Sequence, residues 1–526
     1  MQSDRVPAST IIAEIQKRRA DAGKLVAGVA AASNSDMFKG PLTREKQDGK
    51  PKAKRWDHHL TEESLRRQPC ALKQAAQFLK KPGLISLGSG LPSSQVFPFA
   101  ELSMKVPVAP GFSEQATARS GVQATIGKYD VREGASEYDL SVALNYGQAT
   151  GSAQMMRFLT EHTEIVSRPP YADWAVCQTI GNTGALEQAA RMLCDKGRRD
   201  AVLTEAFGFS TAMETLEPLG VGVFGTPVDG EGIVAEAMDA LLSAWDDAAR
   251  GGFRRPHVLY TVPSGQNPTG ATQSAARRRA IYTVARKHDL IVIEDEPYYF
   301  LQMEPYGEAP QGRAPPATVD EFVAGLVPSY VSLDVDGRVM RLDSFSKVLA
   351  PGARLGWVVA SQQIIERYQR HAEVASQGPS GFSQVILHKL LDQTWGHAGY
   401  LEWLMSLRVE YTQKRNALLA ACEKHLPQDI VSWTPPAAGM FIWLTVDHTK
   451  HPDHGKRSLE EIEQEIFDAC IEGGVLVARG SWFRAEQHVP LSGLYFRVTY
   501  ATASVEDMDL ATSRFGDAVR SSFKSG

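Results

Sequence analysis

The sequence predicts an α/β protein with a mostly parallel central sheet, because short apolar segments alternate with helical patterns through the middle of the chain. Residues 274–290 (SAARRRAIYTVARKHDL) place Ile281, Val284, Ala285 and His288 on one face at helical spacing. Alternation of strands with such helices is typical of parallel strands covered by helices. The apolar runs predicted as strands are 201–206, 257–263, 290–297, 339–347 and 355–360.

The hydrophobic pattern changes after about residue 375, and the change predicts a second, smaller α+β domain. A long helical region at 399–426 leads to two alternating segments, GMFIWLTV at 439–446 and LYFRVTY at 494–500. The first 60 residues are rich in Ala, Ser, Lys and Gly and show no sustained period. They are therefore predicted to form a flexible N-terminal arm.

Composition excludes several classes of protein. The chain has 526 residues and a net charge of -5, which argues against nucleic-acid binding. Its five cysteines are an odd number without C-x-x-C spacing, which argues against a disulfide framework or a zinc site and favours a reducing compartment. No segment approaches the ~18 apolar residues of a membrane span. We expect a cytoplasmic protein, and a basic helical pattern at 11–25 leaves a mitochondrial location open.

One cationic segment follows a predicted buried strand. In DSFSKVLAPGAR, Lys347 lies beside Ser344 and Ser346, and Arg354 follows seven residues later. Most lysines and arginines only solvate a surface. Here both flanks are apolar strands, and a buried cation needs an anionic partner because burial of an unpaired charge is costly. The segment therefore predicts a contact with an acidic group or with an anionic ligand.

Polar residues follow three other predicted strands, and each has a structural and a functional interpretation. GNTGAL starts a helix at Asn182 and Thr183, which either cap that helix or present N–H groups to an anion such as phosphate. In PSGQNPTG, Asn267 either forms a turn or donates to a ligand oxygen. In IEDEPYYF, Asp295 either ends the strand or holds a protonated ring nitrogen.

Together these groups match the needs of one cofactor, an aldehyde that carries a phosphate and a pyridine nitrogen. Parallel α/β sheets collect ligands at the carboxyl ends of their strands, where these residues lie. Such a cofactor needs a lysine for a Schiff base, an acidic partner for its ring, an anion cradle and an aromatic face. The residues that supply these four needs are Lys347, Asp295, the cradle of Asn182, Thr183, Ser344, Ser346 and Arg354, and Phe209.

The motifs resemble those of fold-type I aminotransferases that depend on pyridoxal 5'-phosphate. NPTG, EDEPYY, DSFSK with an arginine seven residues later, and a late FR occur in that order. Within that superfamily, ISLGSGLPSSQVFPF, EPLG, PYYFLQ, PAAGMFIWL and LYFRVTYATAS resemble the branch of fungal aromatic amino acid and kynurenine/2-aminoadipate aminotransferases. The resemblance covers roughly residues 60 to 520.

The resemblance implies a three-layer sheet fold, a homodimer with shared active sites, and a role for each matching residue. Lys347 would form the imine with the cofactor, and Asp295 would pair with the pyridine nitrogen. Arg497 would bind the substrate α-carboxylate. Further implied contacts are Asn267 and Tyr298 with the ring oxygen, Phe209 stacked on the ring, Tyr146 with the phosphate of the neighbouring subunit, and Gly90 at the substrate mouth, with Asn267 and Tyr146 also reaching the substrate.

The same resemblance implies four regions along the chain. They are the arm at 1–60, the N-terminal part of the small domain with the substrate mouth at 61–110, the large cofactor-binding domain at 111–374, and the C-terminal small domain at 375–526. Relatives carry a substrate-gating arginine about a dozen residues before ISL. This sequence has Lys73 nearby and Arg66 and Arg67 further upstream, so the gating residue is not assigned.

The predicted reaction moves the amino group of an aromatic amino acid (tyrosine, phenylalanine or tryptophan) to 2-oxoglutarate, with 2-aminoadipate or kynurenine as alternative donors. A lyase of the aminocyclopropane-carboxylate synthase type would use the same cofactor residues and differ in its product. A transcription regulator with an aminotransferase-like domain would need a DNA-binding module, for which residues 1–60 are too short and irregular. The predicted partners are amino acids, 2-oxo acids and a second copy of the chain.

Overall fold

The computed structural model describes residues 6–307, apart from 26, 29–32, 41–48, 76–77, 79–80, 82, 84, 86 and 89, and residues 317–524. The chain divides into two compact units. Unit 1 comprises Met1–Asp195, Ile291–Pro297 and Pro316–Ser406, and unit 2 comprises Lys196–Leu290, Tyr298–Pro315 and Leu407–Gly526. Because these segments interleave along the chain, the linear domain boundaries stay predictions.

The strands are β1 Glu101–Val106, β2 Val122–Gly127, β3 Trp174–Thr179, β4 Ala201–Glu205, β5 Gly222–Thr226, β6 Val228–Asp229, β7 Gly232–Ile233, β8 Val258–Thr261, β9 Ile291–Asp295, β10 Val339–Ser344, β11 Gly356–Ser361, β12 Val431–Trp433, β13 Phe441–Val446, β14 Ala478–Arg479 and β15 Leu494–Thr499. The α-helices are α1 Ala8–Ala22, α2 Glu62–Arg66, α3 Ala71–Ala75, α4 Glu114–Ser120, α5 Leu140–Ala143, α6 Ala153–Val166, α7 Asn182–Leu193, α8 Ser210–Leu216, α9 Ala235–Ser243, α10 Ala275–Lys287, α11 Val319–Gly325, α12 Tyr330–Leu333, α13 Gln362–Ala372, α14 Gly381–His388, α15 Gly396–His425, α16 Leu459–Glu472 and α17 Val505–Phe523. Among the described helices, none is long and apolar enough to cross a membrane.

Unit 1 contains four neighbouring strands in the order β3-β11-β10-β9, and unit 2 contains three in the order β8-β4-β5. The pairs β9–β10, β4–β8 and β4–β5 are parallel. All residues of β4, β5, β8, β9 and β10 are buried except the half-buried Gly225 of β5. Such burial is expected for strands with both faces covered. The predicted α/β class with a mostly parallel sheet is confirmed.

Strand β11 departs from the parallel pattern, since it runs antiparallel to both β10 and β3. The short connection between β10 and β11 explains why β11 runs antiparallel to β10. Residues 345–355 join the two strands, and a parallel crossover needs a dozen or more residues and usually contains a helix. The antiparallel return keeps the whole Lys347 segment at one end of the sheet.

Unit 2 contains the predicted α+β part of the fold. Four strands form an antiparallel sheet in the order β12-β13-β15-β14. Ile442, Leu444 and Phe496 point to one side of this sheet, where they share an apolar core with side chains of α15, α16 and α17. Because side chains alternate along a strand, the other side of the sheet presents Phe441, Trp443 and Arg497.

Part of the predicted N-terminal arm is an ordered element of unit 1. Helix α1 buries Ile11, Ile12 and Ile15 and packs on α6. Arg19 of α1 donates to Glu161 of α6 through Nε at 3.0 Å and to Asp392 through Nη2 at 2.6 Å. Both carboxylates are almost fully buried, with 2 % and 5 % of their side-chain surface exposed.

This contact gives α1 a stabilising role with a defined pH dependence. Burial disfavours the charged form of Asp392, but close contact with His388 and the charges of Arg19 and Arg157 outweigh burial and hold its pKa below the usual range. A lowered folded-state pKa stabilises the fold above the unfolded value near 4, and this stabilisation is lost as the pH falls.

We therefore expect Arg19→Met to lower the free energy of unfolding by about 3 kcal/mol at pH 7, because it removes one partner from buried carboxylates. The deficit relative to the wild type should shrink as the pH falls from about 4 toward the lowered pKa of Asp392, because the unfolded chain then binds protons that the folded wild type still excludes. Urea denaturation across pH measures both effects. Arg191→Met is the matched control, since its pair with Glu187 is about 40 % exposed on both sides. A deficit no larger than that of the control would contradict the role of α1.

Candidate active site

The turn that carries Lys347 is held in place by its apolar neighbours in unit 1. Phe345 is fully buried and its ring lies 4.9 Å from that of Trp357 on β11. Trp403 donates from Nε1 to the Val348 carbonyl at 2.6 Å. With these anchors on both sides, the half-buried Lys347 lies in a fixed turn directly after β10.

Ser344, Ser346 and Arg354 come together at the same turn, as the sequence predicted. The Ser346 hydroxyl lies 2.8 Å from that of Ser344 and 3.3 Å from Nη1 of Arg354. Arg354 adopts a left-handed backbone conformation with a φ of 45°, which is uncommon outside glycine. Two hydroxyls and a guanidinium at one point are the donors that a phosphate dianion requires.

The start of α7 borders this cluster. Arg354 donates from Nη2 to the Ile180 carbonyl at 3.2 Å. Gly181 follows with a φ of 100°, and a Cβ there would lie 2.4 Å from Nη2 of Arg354, so only glycine permits this approach. Asn182 and Thr183 are the first residues of α7, where backbone N–H groups lack helical acceptors. The anion cradle predicted from the sequence is therefore a local structure of unit 1, and its phosphate-binding role stays a prediction.

Asp295 ends β9, opposite Leu342 of β10, and only 5 % of its surface is exposed. The Asn182 side chain donates from Nδ2 to Oδ1 of Asp295 at 2.6 Å and to the Leu342 carbonyl at 3.1 Å. The sequence pattern predicted that Asn182 belongs to the phosphate cradle, but its side-chain amide donates to Asp295 instead. Only its backbone N–H is left to serve an anion.

A buried ion cluster beneath the site was missed from the sequence. Arg341 of β10 is 1 % exposed and binds Asp343 through Nε and Nη2, both at 2.7 Å. Its Nη1 lies 3.3 Å from Glu294, which also accepts from the backbone N–H groups of Tyr330 and Val331. Burial opposes the charge of Arg341, but the two carboxylates outweigh it and raise the pKa of the guanidinium. Charged residues inside the apolar run VMRLDSF were the available signal.

In unit 2, Arg497 lies on β15 between two aromatic rings. Its guanidinium carbon is 4.4 Å from the ring centre of Phe441 and 4.7 Å from that of Phe483. Burial lowers its pKa, as expected for a partly desolvated cation. Among the described residues, no carboxylate lies within ion-pair distance of this guanidinium. A desolvated guanidinium without an acidic neighbour fits an anionic ligand.

Asn267 and Tyr298 lie close to Arg497 in the same unit. Oδ1 of Asn267 accepts from Nη1 of Arg497 at 2.7 Å, which leaves the Asn267 NH₂ group as the donor end of the amide. Tyr298 is buried, and its ring packs edge-on against Phe441 at 5.8 Å. Three of the residues that the resemblance implied, Arg497, Asn267 and Tyr298, therefore form one local cluster in unit 2.

The remaining predicted site residues are less constrained. Phe209 is half-buried just before α8. Tyr146 is 57 % exposed, and Gly90 lies on an exposed segment where a Cβ would meet no atom within 4 Å.

The Lys73 ammonium contacts the Gly147 carbonyl beside Tyr146, and burial lowers the pKa of Lys73. Arg66 and Arg67, the two arginines near the expected gating position, form local ion pairs instead. Arg66 pairs with Glu62 in α2, and Arg67, which follows α2, pairs with Glu63.

The donor set of unit 1 fits the predicted cofactor. Ser344, Ser346, Arg354 and the start of α7 can hold its phosphate, and the buried Asp295 can face its ring nitrogen. Lys347 follows Asp343 and Ser344 at the same strand end, where an amine can reach the cofactor aldehyde. These three needs are met by residues that come from distant parts of the sequence but from one unit.

Comparison with known proteins agrees with this chemistry. Residues 130–515 match the family described as aminotransferase class I and II. The chain is 43 % identical to an aromatic amino acid aminotransferase of Schizosaccharomyces pombe over 89 % of this chain and 98 % of that protein. It is 35 % identical to an L-tyrosine:2-oxoglutarate aminotransferase of Tapinella panuoides, over 80 % of each. The crystal structure of aminotransferase Aro8 from Candida albicans superimposes with a TM-score of 0.84 at 40 % identity, covering 90 % of this chain and 100 % of that one.

These matches confirm the predicted resemblance and cover the greater part of the chain. They agree with features that the structure shows without reference to any relative: the sheet, the Lys347 turn, the buried Asp295 and the Ser346–Arg354 contact. The chain therefore belongs to the aminotransferase class I and II family, with pyridoxal phosphate as its cofactor and with amino acids and 2-oxo acids as its substrates.

Proposed function

We propose that this enzyme transfers the amino group of an aromatic L-amino acid to 2-oxoglutarate. The observation that carries the proposal is Arg497, a half-buried guanidinium with no carboxylate near it among the described residues. Every amino donor and every 2-oxo acid acceptor has a carboxylate beside its reacting carbon. One arginine fork can bind that planar anion in both halves of the reaction. The aromatic preference rests on similarity to enzymes named for aromatic donors.

In this proposal each residue has one task. The cofactor supplies an aldehyde and a ring that accepts electrons when it is bound. Lys347 would take the proton from the substrate α-carbon onto its amine and would give that proton up again within the same half-reaction. Asp295 would hold the proton of the ring nitrogen, and Phe209 would cover the ring. Asn267 and Tyr298 would donate to the ring oxygen, and Ser344, Ser346 and Arg354 would hold the phosphate.

A donor screen with 2-oxoglutarate tests the reaction and its specificity. Tyrosine, phenylalanine and tryptophan should give glutamate faster, by kcat/KM, than 2-aminoadipate or kynurenine. A higher kcat/KM for either of the last two would assign the alternative specificity. More than one equivalent of product per cofactor, formed from the donor without a 2-oxo acid acceptor, would indicate a lyase. Without any glutamate from any donor, the proposal fails.

We further propose that the functional unit is a homodimer. Five apolar side chains of one segment are between 60 % and 97 % exposed, more than a soluble monomer usually shows in one stretch. They are Leu72, Phe78, Ile85, Leu87 and Val96. Tyr146 belongs to the same unit and is also exposed, so a second copy that covers this segment would receive its hydroxyl. Cytoplasmic location stays a prediction; none of the five cysteines forms a disulfide, which is typical of a reducing compartment.

The shared site predicts complementation between two defective subunits. We expect Lys347→Ala to be inactive and Tyr146→Phe to be weakened, because they remove the amine and the hydroxyl of one composite site. A mixed dimer contains one site with both defects and one site with neither. Mixing the two variants after mild unfolding should therefore yield activity above that of either alone, with a ceiling of one intact site per mixed dimer. Full activity in a monomer, measured by light scattering during turnover, would contradict this arrangement.

A further inference from the structure

We propose that Asn182 is a positioning residue that holds Asp295 with one carboxylate oxygen turned toward the cofactor ring. This inference rests on the proposed role of Asp295 and extends it to a neighbour. The sequence suggested only helix capping or phosphate binding for Asn182. In the structure no side chain caps α7, because Gly181 occupies the capping position. The amide of Asn182 is therefore available for another task.

The orientation of that amide follows from its two partners. Nδ2 lies 2.6 Å from Oδ1 of Asp295 and 3.1 Å from the carbonyl of Leu342. A backbone carbonyl can only accept, so the NH₂ end of the amide must face both groups. Leu342 and Asp295 are opposite each other in the parallel pair β9–β10. The side chain thus bridges two strand ends with both of its N–H groups.

The other end of the amide shows that this orientation is enforced. Oδ1 of Asn182 is buried and has no hydrogen-bond partner among the described residues. A buried acceptor without a donor is unfavourable, so the contact with Asp295 and Leu342 outweighs that cost. Rotation of the amide would place its oxygen against two acceptors.

The consequence concerns how Asp295 meets the cofactor. One of its oxygens receives a neutral N–H donor, which favours the charged carboxylate without neutralising it. In the proposed role of Asp295, its other oxygen would face the proton of the ring nitrogen. Loss of the Asn182 donor should let the carboxylate rotate and weaken that pairing. The ring would then hold its proton less firmly and would draw electrons less strongly from the reacting carbon.

Asn182→Ala and the isosteric Asn182→Asp test the proposal in the holoenzyme. The first readout is the pH titration of the visible absorbance of the bound cofactor without substrate. We expect its midpoint to move by about half a pH unit or more in both variants, as for loss of a hydrogen bond to a charged group. The kcat should fall about tenfold to a hundredfold, the usual loss when a group that orients a ligand-holding side chain is removed. The KM of the donor should change less than threefold.

Two companion variants separate this role from others. Thr183→Ala lies beside Asn182 in the proposed phosphate cradle, so it should weaken cofactor affinity and leave the titration midpoint unchanged. Glu187→Gln, on the exposed part of α7, should match the wild type in every readout. If Asn182→Asp fails to fold, Asn182→Ala alone decides. An unchanged midpoint in Asn182→Ala would overturn the proposal. By contrast, a wild type without a visible cofactor band, or with the same band in Lys347→Ala, would overturn the proposed function itself.

Discussion

Lys347→Ala is expected to abolish transamination while the protein keeps its fold. The variant loses the amine that links to the cofactor aldehyde and the base that moves the α-proton, and proton transfer alone contributes about 10²–10⁴-fold. Lys347 is half-buried in a turn that Phe345 and Trp403 anchor, so its side chain contributes little to folding. Steady-state assays with an aromatic donor and 2-oxoglutarate measure the loss, and thermal denaturation checks the fold.

Covalent labelling makes this prediction sharper. Borohydride reduction of the holoenzyme should attach the cofactor to the peptide that contains Lys347, and the mass of that peptide identifies the residue. Lys347→Arg should be as inactive as the alanine variant, because a guanidinium remains protonated and forms no such link. Lys287→Ala is the control, since its ammonium is exposed and only pairs with Asp239. Label on another lysine, or near-normal turnover in Lys347→Ala, would rule out the assignment.

Local signals in the sequence predicted β4, β8, β9, β10 and β11 but not β3 or β5, and they predicted which residues of unit 1 lie at the strand ends. Apolar runs marked β9 and β10, and polar residues after them marked Asp295, Ser344 and Lys347. A strand end constrains where its next side chain lies, so residues from separate motifs meet there without any knowledge of the loops between them. The direction of β11 needed one more consideration, the short length of its connection to β10.

Contacts between residues that are far apart in the sequence could not be predicted from local patterns. Asn182 and Asp295 are 113 residues apart, and either interpretation of Asn182 from its neighbours, capping or phosphate binding, was locally reasonable. Arg19 of α1 depends on Glu161 and Asp392 in the same way. The polar composition around α1 suggested an arm, whereas its short isoleucine stripe and its ion pairs attach it to unit 1. Which polar groups pair is decided by tertiary packing that no local period encodes.

Arg497 belongs to the same category, because its residue type was suggestive but its surroundings were not predicted. An arginine in an apolar strand most often pairs with a carboxylate. Here the guanidinium carbon lies over the rings of Phe441 and Phe483, and one N–H donates to Asn267. Among the described residues, no carboxylate forms an ion pair with it. Aromatic faces hold a guanidinium flat and keep water from it, so its fork is oriented before the ligand arrives.

Arg497→Lys is therefore expected to weaken all substrates together, by about 2–5 kcal/mol in kcat/KM, since a carboxylate would lose its bidentate partner in a desolvated site. A lysine ammonium keeps the charge but has neither the planar fork nor the surface that fits between two rings. Single-turnover measurements of each half-reaction, with several donors and with 2-oxoglutarate, should show the same loss. Cofactor affinity should barely change, and the exposed Arg514→Lys in the same unit should behave as the wild type. A loss confined to one donor, or a loss of the cofactor instead, would show that Arg497 does not bind the α-carboxylate.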